Sequence, residues 1–298
     1  MDFEHLHPDA RAVLQSSLED RLEFVRRDRF IEYPAAEAIL RDLADVVAYP
    51  RVQRPPCRAV IADSDNGKTS LTSELIRRNP VVLDATGNPI TKVLWAECPP
   101  APDEGRLFSS ILTALDVLHR PDAAPERLEA IVSQELIAHQ TNTLVIDELH
   151  AMLNGTARNQ RLFMAALKRL SNTRNISVVC CGTQEVTRAL ATDSQFMTRF
   201  QKLALPRWQA NEDFQRLLVS FEMFVPLPKP SGLSQGKLVQ LIYMKSARTI
   251  GSVRAIVRAA AEMALREGED RITYALLDKA VAGLVERLLN GGRNDGAI

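Results

Sequence analysis

Apolar residues recur along this chain with two different periods, and the change of period divides it. Between Asp9 and Phe30, Leu14, Leu18, Leu22 and Val25 fall three or four apart, with Arg21, Arg26, Arg27 and Arg29 on other faces. That spacing predicts one amphipathic helix that docks on another surface. Tyr33-Pro34 breaks it, and Ile39, Leu40, Leu43 and Val46 restore a helix over 35–47. The stretch 51–58, holding Pro55 and Pro56, reads as a connector.

From Cys57 onward, short apolar runs alternate with helical spacing. The runs 58–61, 92–96, 143–146 and 176–181 read as strands, and 68–78, 106–118, 125–139 and 159–171 as helices. Strands separated by helices predict an α/β core with a mostly parallel sheet covered on both faces. After Pro206 the strand signals fade. Helical spacing over 214–224, 237–245, 252–267 and 273–289 predicts a smaller helical domain, interrupted by a loop at Pro226, Pro228, Pro230 and Gly232.

Composition narrows the class without naming it. Hydrophobic residues at 46% and charged residues at 25% are those of a folded globular protein and exclude a disordered, collagen-like or rod-like chain. No apolar run is long enough to span a membrane, and the first residues carry acids and histidines where a signal peptide is apolar, so a cytoplasmic location is expected. Cys57, Cys98, Cys180 and Cys181 have neither disulfide-framework nor zinc spacing. Basic and acidic residues balance at 37 each, so any attraction for nucleic acid must come from a local patch.

The chemistry concentrates at three strand ends. Asp63, Ser64, Asp65, Asn66, Gly67, Lys68, Thr69 and Ser70 follow a strand and open a helix, the context of a phosphate-binding P-loop. There, backbone N–H groups and the helix N-terminus receive phosphates, Lys68 reaches the β- and γ-phosphates, and Thr69 binds magnesium. Ala62 stands where the motif has glycine, and a loop strained at the strand exit is the expectation. The run 143–146 ends in Asp147-Glu148. An acid at the carboxyl end of a buried parallel strand needs a partner, and magnesium beside a P-loop is one. Glu148, one residue on, is placed to activate water. The third strand ends at Gly182-Thr183-Gln184, where Thr183 is a candidate contact for the γ-phosphate, with a helix-starting turn as the alternative. Arg199, just before the strand-like 203–205, reads either as an arginine finger reaching across a subunit boundary or as the partner of a surface acid. Arg254 opens a helix in the second domain and reads either as reaching back onto the nucleotide or as an ordinary helix-start arginine, the commoner case.

In this order the set resembles the AAA+ ATPases: P-loop, Asp-Glu strand, polar strand end, box arginine and a Gly251-x-x-Arg254 helix in a helical lid. Within them it is similar to the TniB and TnsC family of DNA transposition regulators, an initiator-like group. The likeness runs over roughly 10–290 and rests on Phe30-Ile31-Glu32-Tyr33-Pro34, Asp63-Ser64-x-Asn66-Gly67-Lys68-Thr69, Leu144-Val145-Ile146-Asp147-Glu148-Leu149-His150, and Arg199-Phe200 followed by Leu205-Pro206-x-Trp208. The resemblance implies an N-terminal helical extension over 1–30, an AAA+ nucleotide-binding core over 31–206, a helical lid over 207–290 and a flexible tail over 291–298. It implies an ATPase using ATP and Mg2+ that oligomerises on double-stranded DNA as a ring or filament, marks a target site and recruits an integrase-type transposase. A target-selection adaptor is a further implied partner, and hydrolysis disassembles the complex. Lys68, Glu148 and Arg199 would be catalytic, Thr69 and Asp147 would hold the metal, Thr183 would sense the γ-phosphate, and Arg199 and Arg254 would act in trans and in cis.

One local feature stands apart from the resemblance. Between Glu148 and Glu185 there is no acid, whereas Arg158, Arg161, Lys168, Arg169 and Arg174 all fall there. Such a concentration suits phosphate neutralisation, and Arg158, Arg161 and Lys168 are candidate DNA contacts; a solvated helix or one facing an acidic neighbour fits as well. Lys92, ending the 84–92 loop with Gly87 and Asn88, is a second DNA-facing candidate, and His150 is expected to cap or pack, with a part in coupling nucleotide to DNA as the alternative. The alternatives to transposition are another initiator-like AAA+ role, such as helicase loading or replication licensing, and a non-hydrolysing nucleotide-gated scaffold or signalling module.

Overall fold

The computed structural model describes residues 3–291. Its opening stretch, expected as one helix over 9–30, is two: α1 (Pro8–Ala12) and α2 (Leu18–Arg26). The Ser17 hydroxyl accepts the Asp20 N–H at 3.2 Å, which starts a new helix instead of continuing the old one. By contact density the chain divides into two units, Ala35–Pro206 and a second that joins Met1–Pro34 to Arg207–Ile298.

The first unit begins with α3 (Pro34–Ala48) and carries β1 (Cys57–Ala62), α4 (Lys68–Arg78), β2 (Val82–Leu83), β3 (Pro89–Ile90), β4 (Val93–Glu97), α5 (Glu104–Ala114), α6 (Pro125–Ala138) and β5 (Thr143–Asp147). A 3-10 turn over Leu149–Asn154 leads into α7 (Ala157–Arg174), β6 (Ser177–Gly182), α8 (Val186–Leu190), α9 (Ser194–Met197) and β7 (Phe200–Leu205). Five strands form one sheet in the order β4-β5-β6-β1-β7, every pairing parallel. The central strands β5, β6 and β1 are buried on both faces, as their near-continuous apolar runs require, whereas the edge strand β7 is largely exposed. Ala59, Ile61, Leu144, Ile146 and Val178 pack with Phe108, Ile111, Val132, Phe163 and Leu167 from α5, α6 and α7, while Val60, Val145 and Val179 on the other face are fully buried too.

Boundaries move where caps decide them. Asp103 accepts the Arg106 N–H at 2.8 Å and starts α5 two residues before the expected 106, and Thr156 accepts the Asn159 N–H at 3.3 Å and starts α7 before the expected 159. The 84–92 loop is in part a small antiparallel hairpin, β2 with β3, turned by Asp84 accepting from the Thr86 and Asn88 N–H groups.

The second unit adds α10 (Glu212–Met223), α11 (Gly236–Lys245), α12 (Ile250–Glu267) and α13 (Tyr274–Gly291). Beyond Gly291 the tail expected over 291–298 lies outside the described residues. Leu22 and Ile31 from the N-terminal segment share one core with Phe214, Leu218, Leu241, Val253 and Val257, so the N-terminal helices are part of this unit's packing. Arg26 pairs with Glu262 at 2.7 Å across the same contact. The proline-rich loop is closed by the buried Glu222 carboxylate, which accepts from the Ser231, Gly232 and Leu233 N–H groups at 2.6, 2.9 and 2.8 Å. Among the described residues no helix is long and apolar enough to cross a membrane.

Candidate active site

Because β1, β6 and β5 are parallel neighbours, their carboxyl ends put the P-loop, Gly182-Thr183 and Asp147-Glu148 side by side at one edge of the sheet. Ligands of open α/β sheets bind at that edge. Gly67 (φ 86°) and Asp65 (φ 60°) take left-handed conformations that turn the chain from β1 into α4. Ala62 does not: it is the last residue of β1, paired with Leu205, and no left-handed conformation is required of it. The strain expected from alanine in place of glycine is therefore absent, because the turn is made further along the loop. The buried Asn66 braces the loop by donating through Nδ2 to the Leu205 and Pro206 carbonyls at 2.9 and 3.2 Å.

Lys68 is 5% exposed, and its Nζ donates to the Ala62 and Asp63 carbonyls at 3.2 and 3.1 Å. Thr69 and Ser70 are exposed at the start of α4. Asp147 is 4% exposed and accepts the Glu148 N–H at 2.9 Å. Glu148 is itself left-handed, φ 52°, a costly conformation for a non-glycine residue that persists only where its surroundings impose it. Its Oε2 lies 3.1 Å from His150 Nδ1 without hydrogen-bonding geometry. Gly182 is needed for this approach, since a Cβ there would stand 2.9 Å from His150 Nδ1 and 2.6 Å from Val186 Cγ2. Beside them the Thr183 hydroxyl is buried without a hydrogen-bond partner. Burial pushes the Cys181 thiol well above its ordinary value, the Asp147 carboxylate adds to that, and the Lys68 ammonium opposes it. One thiol thus senses the charges of both motifs.

These residues fit a magnesium nucleotide. A buried carboxylate, an exposed helix-start hydroxyl, a lysine parked on loop carbonyls and an orphaned hydroxyl on the intervening strand are complementary to phosphate oxygens and their cation. Among the described residues no group of three or more His, Cys, Asp or Glu is placed to hold a metal ion.

The other sequence candidates lie elsewhere. Arg199 precedes β7 at the amino end of the sheet, the opposite edge from the P-loop of its own chain, and its Nη1 donates to Asn172 Oδ1 at 2.6 Å. A six-residue strand separates the two edges by roughly 20 Å. Arg254 donates to Asp28 at 2.6 Å and lines a cleft of the second unit with Arg27, Arg29 and Arg258. Lys168 is held by Asp193 at 3.0 Å, and Arg169 by Glu129 and Glu104 at 2.9 and 3.3 Å, so acids from other elements neutralise part of the basic run. Arg158 and Arg161 are exposed on the first turns of α7 and make no ion pair among the described residues. Lys92 is exposed at the amino end of β4. The proximity of His150 to Glu148 was not legible in the sequence; its only signal is a position two residues after the acid.

The sheet order and the three strand-end motifs define an AAA+ ATPase fold. The chain belongs to the bacterial TniB protein family, which matches residues 21–210. No curated protein matches it. Among solved structures it is similar to the ORC2 protein of Aeropyrum pernix in ADPNP–ADP complexes, with 18% identity over 87% of this chain and 71% of that one and a TM-score of 0.62. It is also similar to the Aeropyrum pernix ORC1 protein in complex with DNA, with 19% identity over 88% and 69% and a TM-score of 0.64. Drosophila ORC bound to DNA gives 17% identity over 93% and 68% and a TM-score of 0.60.

Proposed function

We propose that this protein is an ATP-hydrolysing regulator of DNA transposition that oligomerises on duplex DNA, marks the target site and recruits an integrase-type transposase. The observation that carries the reading is the pairing of a P-loop with Asp147-Glu148 and the unbonded Thr183 hydroxyl at one sheet edge, with Arg199 at the other, in a TniB-family chain. Lys68 leaves the Ala62 and Asp63 carbonyls for the phosphates, and Thr183 donates to a γ-phosphate oxygen. Thr69 and Asp147 hold magnesium, which supplies charge neutralisation on the phosphate oxygens. Glu148 orients the attacking water and takes its proton. Arg199 cannot serve the P-loop of its own chain from the far edge, so it acts on a neighbour's nucleotide, which makes turnover depend on assembly.

That ORC1 and ORC have been solved with DNA supports a DNA-bound assembly and also favours a second reading, helicase loading. ATP turnover with and without duplex DNA tests the first half of the proposal: stimulation by DNA is expected, and no hydrolysis in either condition leaves only a scaffold. Co-purification with an integrase-type transposase, as against a replicative helicase, tests the second half.

A further inference from the structure

At the amino end of the sheet an open cavity of about 510 Å³ is lined by Arg54, Lys168, Ser194, Gln195, Thr198 and Arg199. Its three cations are not equivalent. Lys168 is neutralised by Asp193 and also reaches Gln195 Oε1 at 3.2 Å, and since Asp193 caps α9, this pair fixes the turn that carries Arg199. Arg199 is held by a neutral amide, Asn172, which orients the guanidinium and leaves its charge uncompensated. Arg54 makes no hydrogen bond or ion pair among the described residues. Two guanidinium groups, which cannot shed their protons, therefore share one open cavity with no acidic partner of their own among the described residues.

The connector that carries the exposed Arg54 is tied down on both sides of it. The connector is tied to the sheet by Arg51 donating to the Thr141 carbonyl at 2.9 Å and by the Cys57 N–H donating to the Arg199 carbonyl at 3.2 Å. With its amide nitrogen turned inward, Asn175 after α7 donates to the Val52 and Asn172 carbonyls at 3.3 and 3.1 Å. Arg54 itself has φ 88°, before Pro55, where a non-glycine residue stays only if its surroundings hold it.

We propose that Arg54 is a second arginine presented in trans, which engages, together with Arg199, the terminal phosphates of the triphosphate bound by a second copy of this chain. The inference rests on the intersubunit reading of Arg199 and adds a residue to it. Phosphoryl transfer spreads negative charge over the equatorial oxygens, and two planar donors placed on that charge stabilise it more than one.

The test is ATP turnover of full-length Arg54→Ala, Arg54→Lys and Arg199→Ala proteins, with thermal melting as a fold check and binding of a fluorescent ATP analogue to dilute, unassembled protein. Arg54→Ala is expected to melt and bind like the parent yet turn over at least about tenfold more slowly, with Arg54→Lys in between because a point charge remains without the fork. Excess Glu148→Gln protein, which supplies an intact Arg54 but no turnover, should restore activity to Arg54→Ala. Parent-level turnover in Arg54→Ala while Arg199→Ala is inactive overturns this inference alone, as does lost analogue binding in the dilute protein or failure of the mixture to recover. Should Arg54→Ala not fold, Arg54→Lys carries the same comparison. Parent-level turnover in Arg199→Ala, or no turnover in the parent, overturns the intersubunit reading and this inference with it.

Discussion

Thr183 and Glu148 each carry a local cost: the Thr183 hydroxyl is buried without a partner, and Glu148 keeps a left-handed backbone that its surroundings impose. A buried hydroxyl without a partner costs on the order of 1–3 kcal/mol, so Thr183→Val, which keeps the shape and removes the unbonded group, should leave the nucleotide-free protein as stable as the parent or about 1 kcal/mol more so. Its turnover should nonetheless fall about tenfold or more. Denaturant melts beside an ATPase assay check both, and a destabilised variant with parental turnover would make the hydroxyl structural. Glu148→Gln keeps the backbone turn and leaves Lys68, Thr69 and Asp147 in place. ATP binding should survive while turnover falls by about two orders of magnitude, the usual worth of a general base. Equal turnover in mutant and parent would return the base assignment to another group, with His150, 3.1 Å away, the first to examine.

At the scale of elements, α4 carries both the P-loop lysine and a buried ion cluster. Glu74 is 4% exposed, and hydrogen bonds from Arg77, then Arg78, hold its carboxyl at about 2 against the opposing effect of burial. A carboxyl lowered on folding stabilises the protein above its ordinary value of 4.5 and loses that contribution as pH falls towards about 2. Glu74→Gln should therefore be less stable at neutral pH and show a flatter decline between those values in pH-dependent melts. Helix α7 offers a different test. If Arg158 and Arg161 touch DNA phosphates, replacing each with alanine lowers the log–log salt slope of binding by about 0.9, equally on unrelated duplexes. Arg169, already engaged by Glu129 and Glu104, is the control whose loss leaves the slope unchanged. The sequence made the helices legible here because burial of one face imposes a period of 3.6, and the strands because burial of both faces leaves short continuous apolar runs; the turn from β1 into α4 was legible because contiguous residues make it. It did not reveal the acids that neutralise Lys168 and Arg169, since Asp193, Glu104 and Glu129 arrive from other elements. Nor did it reveal the Glu222 carboxylate closing a loop nine residues away, the Ser17 break, or a hairpin of two-residue strands too short for any period.

At the scale of the whole molecule, the parallel sheet has two ends with different chemistry. Its carboxyl end gathers Lys68, Asp147 and Thr183, and its amino end carries Arg199 beside Asn172 and Lys168. On the proposed intersubunit reading of Arg199 a single chain is incomplete: the cation meant for the γ-phosphate stands a strand's length, about 20 Å, from its own P-loop. If Arg199 serves a neighbour as proposed, head-to-tail association would supply that charge, and because such a contact is heterologous it would propagate into a closed ring or an open filament. Nucleotide bound at that junction would then stabilise the assembly by mass action. Arg199→Ala should accordingly leave ATP binding to the dilute protein intact, abolish ATP-dependent assembly on duplex DNA, and lower turnover by about a thousandfold or more, the range over which arginine fingers act. Light scattering with a slowly hydrolysed ATP analogue and duplex DNA reads the assembly. Normal oligomers from the mutant would assign Arg199 to its bond with Asn172 on the surface of a single subunit, and the two ends of the sheet would then have no partner in each other.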